Sequence, residues 1–154
     1  MLKKISFAFL LIISTAVAAE TAPMIKGESA VNEIAANVIS VKTPEVNMAL
    51  PTQGSTQVFM ELDNNGKARH KLIAAYSPAA KLIQLHQTIE KNGEQYMQQV
   101  PMISIKPQHE QDLKQGGFHV MLMGLNESLK KGHKVPVVLL FDDGSYINLN
   151  VPVE

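Results

Sequence analysis

The chain has 154 residues, with 14 basic and 14 acidic side chains, a formal net charge of zero, 8 methionines and no cysteine. That length fits one domain of ordinary size, and the lack of thiols excludes disulfides, thiolate zinc sites and a blue-copper centre. The charge balance offers nothing that attracts nucleic acid or anionic lipid, and any soft-metal site must use thioethers.

Lys3 and Lys4 precede an apolar run over residues 7–13, and Ala16-Val17-Ala18 offers a small-residue cleavage site. This is the pattern of a secretory signal peptide, and the run is shorter than the roughly 20 residues a spanning helix needs. Residues 1–18 are expected to be removed. That leaves 136 residues with 12 basic and 14 acidic side chains, net −2, in the periplasm and without membrane insertion. Residues 19–37 show no clear strand pattern and read as an N-terminal lead-in; residues 38–154 read as one domain.

Along that domain, turn signals recur at Pro44, Pro51 with Gly54, Asp63-Asn64-Asn65-Gly66, Ser77-Pro78, Asn92-Gly93, Gly116-Gly117, Lys131-Gly132 and Asp143-Gly144. They separate β-prone pieces over 38–41, 57–62, 71–75, 82–89, 95–100, 118–122, 135–141 and 146–151. Seven or eight strands in one domain predict an all-β sandwich or barrel. One helical turn is expected over residues 127–131. Asp143-Gly144 carries a type I′ hairpin signature, and His70, His109 and His133 fall in polar or turn stretches where solvated imidazoles are expected.

The hairpin around Asn92-Gly93 carries chemistry. If those two residues are the centre of a tight turn, His86 faces Gln99 and Thr88 faces Met97. Alternation then puts Gln84, His86, Thr88 and Glu90 beside Gln95, Met97 and Gln99 on one face, with Ile83, Leu85 and Ile89 beside Tyr96 and Val100 on the core face. Met97 is the one apolar side chain on the polar face and a diagonal neighbour of His86, at roughly 7 to 8 Å between backbones. After Gly116-Gly117, parity places Phe118, Val120 and Leu122 on one face and His119, Met121 and Met123 on the other. Each of these residues alone is more simply a surface imidazole or a packing thioether. Two His and two Met on non-core faces, however, make a soft N2S2 set suited to Cu(I). Met123 is either an outer-shell donor or core.

His86 and Met97 are separated by ten residues, Met97 and His119 by twenty-one, and His119 and Met121 by one. This spacing reproduces the copper motif of the PCu(A)C family of periplasmic copper chaperones, which the chain resembles from about residue 38 onward. Ser77-Pro78-Ala79-Ala80, Gly116-Gly117-Phe118-His119-Val120-Met121 and Leu129-Lys130-Lys131-Gly132 are similar to the family's blocks in the same order. The resemblance implies a cupredoxin-like, Greek-key sandwich of the immunoglobulin-like kind. It also implies that His86, Met97, His119 and Met121 are ligands of one Cu(I) ion, and that an acceptor metalloprotein such as the dinuclear copper centre of cytochrome c oxidase receives it.

The family's aromatic residue in the first strand is absent here, where Val38-Ile39-Ser40-Val41-Lys42 stands, as is the His- and Met-rich tail of some members. A second copper site is therefore not expected. There is no Cys nucleophile, G-x-S-x-G elbow, H-E-x-x-H or phosphate-cradling loop, so an enzyme is not expected. The competing expectations are a copper scavenging or tolerance protein and a metal-free sandwich that binds protein or glycan.

Overall fold

The computed structural model describes residues 33–154; the signal-peptide reading and most of the lead-in lie outside them. A single helical turn, α1 (Ala35–Val38), leads into ten strands. These are β1 (Ile39–Val46), β2 (Ser55–Asn64), β3 (His70–Tyr76), β4 (Ala80–Lys91), β5 (Glu94–Gln99), β6 (Ile103–Ile105), β7 (His109–Leu113), β8 (Phe118–Leu125), β9 (Lys134–Phe141) and β10 (Tyr146–Pro152). They form a six-stranded sheet in the order β1-β2-β7-β8-β4-β5 and a four-stranded sheet in the order β10-β9-β3-β6. The chain crosses repeatedly from one sheet to the other, so the apolar faces of both close on one core.

That core follows from alternation. In β9, Val135, Val137, Leu139 and Phe141 are buried while Lys134 and Pro136 are exposed. In β8, Val120 and Leu122 are fully buried, and they meet Val58 of β2 and Leu72, Ile103 and Ile105 of the second sheet in one apolar cluster. Burying that many branched side chains, at about 1.5–3 kcal/mol each, is what holds the two sheets together. Of the all-β sandwich and barrel that the turn spacing allows, the sandwich that the family resemblance implies is the architecture observed.

The strand β2 is shared. Its residues 60–64 pair with β7 and its residues 55–58 with β8, which brings β8 into the middle of the larger sheet, flanked on its other side by β4. The pairing with β7 opposes Glu61 to Asp112 and Asp63 to Glu110, like charges that repel across a ladder. Lys42 offsets them, with its Nζ at 2.8 Å from Glu110, 3.0 Å from Glu61 and 3.2 Å from Asp63. Hydrogen bonds that the ammonium donates to those three carboxylates, Glu110 foremost, hold its pKa well above the ordinary value.

Several expectations are corrected. Residue 38 ends α1, and the first strand begins at Ile39. That helical turn is tied down by Ala35 N–H donating to Asp143 Oδ2 at 2.6 Å and Ala36 N–H donating to Ser145 Oγ at 3.0 Å. No helix forms over residues 127–131; Leu129 instead makes an isolated bridge to Ala49. The Asp143-Gly144 turn is not type I′, which needs positive φ at both central residues. Only Gly144 has one, at 81°, and Phe141 pairs with Ser145 around a three-residue loop. His70 is buried rather than solvated, because it sits in β3 opposite Ile105, one of the fully buried residues.

Candidate metal centre

Asn92 and Gly93 both have positive φ, 56° and 79°, as a type I′ turn requires. The hairpin register follows: Lys91 faces Glu94, Thr88 faces Met97 and His86 faces Gln99. On its other side β4 pairs with β8, where His86 is directly opposite His119 and Gln84 is opposite Met121. Three adjacent strands thus bring His86, Met97, His119 and Met121 onto the outer face of the six-stranded sheet.

The two imidazole rings lie 5.8 Å apart between centroids and are tilted by 57°. Each gives one nitrogen to a local oxygen acceptor. His119 Nδ1–H donates to the Gly117 carbonyl at 3.1 Å, and that carbonyl also accepts from Thr88 N–H at 3.0 Å. His86 Nε2–H donates to Gln84 Oε1 at 3.0 Å. A carbonyl oxygen can only accept, so these contacts fix the tautomers. The lone pairs are left on His119 Nε2 and His86 Nδ1. Both of those atoms are buried and have no hydrogen-bond partner. Buried polar atoms are seldom left in this state, and two neighbouring bare imidazole nitrogens, each ring oriented through its other nitrogen, fit a metal site.

Burial drives the electrostatics. The His119 pKa is lowered by desolvation, against which the Gly117 hydrogen bond acts. The His86 pKa is lowered by desolvation and then by the neighbouring His119. Both rings are therefore neutral at pH 7, the form that binds metal.

Parity placed His119 off the core face, and it is, yet the residue is fully buried. It is covered on that outer face. The ring of Phe59 meets it edge-on at 6.4 Å and 72°, and the β4–β5 hairpin curls over the sheet. That curl is visible at Met97, whose Sδ accepts a hydrogen bond from Gln57 Nε2 at 3.5 Å although β8 and β4 lie between β2 and β5. Gln57 is in turn the cross-strand partner of Met121, and Met97 and Met121 line one cavity of about 320 Å³. Met97 is 53% exposed. The nitrogen side of the site is thus enclosed and the sulfur side is open.

The outer half of the hairpin does not reach the core as expected. Tyr96 is exposed and Ile89 only half-buried, and all of β5 faces solvent. Met123 is half-buried and pairs with Ser55 and Leu82, one step beyond Met121. Gln57, Gln84 and Phe59 escaped the sequence reading as parts of this site. Gln84 was visible on the same face as His86, but nothing in the sequence indicated that β2 would lie across β8. His109 and His133 are exposed. Among the described residues no three His, Asp or Glu side chains come together as a hard-ligand site, which leaves the imidazole–thioether set as the soft alternative.

Residues 39–153 match the family described as "Putative lipoprotein LpqE-like". A protein of Leifsonia xyli subsp. xyli called "Putative lipoprotein Lxx21020" is 39% identical over 102 residues, which are 66% of this chain and 61% of that protein. The chain thus spans less than two thirds of this relative's length. Among solved structures, the copper-bound PCuAC domain from PmoF2 superposes with a TM-score of 0.66 at 20% identity, covering 79% of this chain and 97% of that one. The solution structure of CuI-DR1885 from Deinococcus radiodurans superposes with a TM-score of 0.61 at 30% identity, covering 77% and 81%. Apo-DR1885 gives 0.60 at 29% identity, covering 99% and 96%. The fold is the cupredoxin-like sandwich of the PCuAC domains.

Proposed function

The chain belongs to the LpqE-like lipoprotein family, and from that membership, its PCuAC-type fold and its pair of bare imidazole nitrogens we propose that it is a Cu(I)-binding metallochaperone. His86 Nδ1 and His119 Nε2 are the proposed nitrogen ligands, and the thioethers of Met97 and Met121 the proposed sulfur ligands. The observation that carries the reading is that both histidines, cross-strand partners on one face, present an unpartnered buried lone pair. It is supported by the solved structures with this fold that hold copper.

Four neutral donors bind a monovalent soft ion without a thiolate charge to trap it, and they discriminate against hard cations. The division of burial sets the direction of traffic. His119 is enclosed and oriented through Gly117, whereas Met97 is open to solvent on a hairpin that curls over the site. Release therefore begins at the thioether side. We further propose that the protein works in the periplasm after export, as a carrier and not an enzyme, and that it hands copper to an acceptor metalloprotein such as the dinuclear copper centre of cytochrome c oxidase. Among the described residues no helix is long and apolar enough to cross a membrane.

Anaerobic titration against a colorimetric Cu(I) chelator tests this. The expected result is one equivalent withheld by the wild type, with His119→Ala and Met97→Ala each losing competition. Equal competition by all three proteins would refute the assignment. Transfer from the loaded protein to a soluble domain carrying a dinuclear copper site distinguishes delivery from scavenging.

A further inference from the structure

We infer that Met48, outside the four-residue motif, is a transfer ligand: a third thioether at the rim of the site that takes Cu(I) transiently as it enters or leaves. The inference rests on the Cu(I) reading given above. Met48 lines the same cavity of about 320 Å³ as Met97 and Met121. It is 60% exposed, flanked within two residues by the fully buried Val46 and the buried Ala49. No packing role accounts for it, since a side chain so exposed contributes little to the core.

The backbone around Met48 is nevertheless held in place. Asn47 N–H donates to the Gln57 carbonyl at 3.2 Å, Met48 N–H to the Glu154 carbonyl at 3.0 Å, and Ala49 and Leu129 exchange both hydrogen bonds, at 3.1 and 2.8 Å. The first of these ties the segment to the residue whose amide binds Met97 Sδ. A long, flexible thioether on a fixed backbone, beside a cavity that already holds two proposed sulfur ligands, has the reach and softness for ligand exchange.

The step conserves atoms and electrons. A lone pair of Met48 Sδ forms a bond to Cu(I) as the bond from Met97 Sδ breaks. No proton moves, the thioethers stay neutral and the metal stays Cu(I). Exchange that passes through a rim donor lowers the barrier to release without deepening the resting site, so Met48 governs rates more than affinity.

The test uses Met48→Leu, which keeps size and polarity but removes sulfur. Cu(I) affinity is measured by chelator competition, and transfer from the loaded protein to excess chelator is followed by stopped flow. The expected result is an affinity matching the wild type and transfer slowed several-fold. As a second readout, methyl-¹³C-methionine spectra during titration with Ag(I) should show the Met48 methyl signal broadening alongside those of Met97 and Met121. Wild-type transfer rates in Met48→Leu would overturn this inference alone. An affinity loss as large as that of Met97→Ala would also overturn it, by making Met48 a resting ligand. A wild type that withholds no Cu(I) would remove both this inference and the function on which it rests.

Discussion

Met97 Sδ lies 3.5 Å from Gln57 Nε2 across a gap of two intervening strands, so the more exposed of the two proposed thioether ligands accepts a hydrogen bond from an amide.

Cu(I) bound through the sulfur lone pair that accepts this hydrogen bond would displace the amide. Gln57→Leu, which removes the donor, is expected to raise Cu(I) affinity by roughly two- to tenfold, the equivalent of one modest hydrogen bond. Chelator competition measures it, and an unchanged or weakened affinity would count against the displacement.

Gln84 orients His86 through the 3.0 Å bond from Nε2–H to Oε1. Outer partners of metal-binding imidazoles are worth about 10- to 100-fold in affinity, so Gln84→Leu should weaken Cu(I) binding by about tenfold. Long-range ¹H–¹⁵N spectra of the apo protein should show the His86 proton on Nε2 in the wild type and distributed between the two nitrogens in the variant. A wild-type spectrum with the proton on Nδ1 would contradict the tautomer.

Acid should act on both stability and binding. Burial lowers the folded-state pKa of His119 and His86 below the ordinary 6.5. Between that value and the folded pKa the unfolded chain binds more protons, so the apo protein keeps this contribution above pH 6.5 and loses it as pH falls through the folded pKa. Denaturant midpoints should drop over that acid window, and less so in His119→Gln. Cu(I) affinity should be level near neutrality and weaken as pH falls through the lowered folded-state pKa values, approaching about tenfold per pH unit for each imidazole that protonates. A midpoint flat from pH 7 to 4.5 would be inconsistent with both shifts.

Phe59 covers His119 edge-on. Because burial is the leading cause of the low His119 pKa, Phe59→Ala should let that pKa rise toward 6.5, as read from the imidazole proton shifts. The same substitution should cost about 2–4 kcal/mol of stability, near the range for a buried aromatic. A pKa that does not move would mean that cover comes from elsewhere.

The hairpin register of the candidate site was legible beforehand because the Asn92-Gly93 turn prescribes it, and the predicted pairs His86 with Gln99 and Thr88 with Met97 are those found. The same logic failed at Asp143-Gly144, where Asp143 caps Ala35 and Ser145 and the loop closes one residue wider. The strand β7 went unnoticed because four of its five residues are polar and only Leu113 is buried, so it has no apolar period; what pairs it is β2 and the Lys42 ion network. Burial of His119 and His70 was equally invisible, since alternation tells which face a residue occupies and not what lies above that face. The contact between Gln57 and Met97 belongs to tertiary curvature, for which the local sequence carries no signal.

Of the four proposed ligands, Met97 alone stands on β5, an edge strand with one neighbour and six exposed residues. Such a strand is among the first parts of a sheet to open in local fluctuations, so the lid of the site breathes while its floor stays shut. A bound ion that joins Met97 to His119 would pin that hairpin down, and amide exchange over residues 94–99 would slow on loading while exchange in the already protected β8 changed little. The affinity of the site and the rigidity of its edge strand are then two measures of one equilibrium.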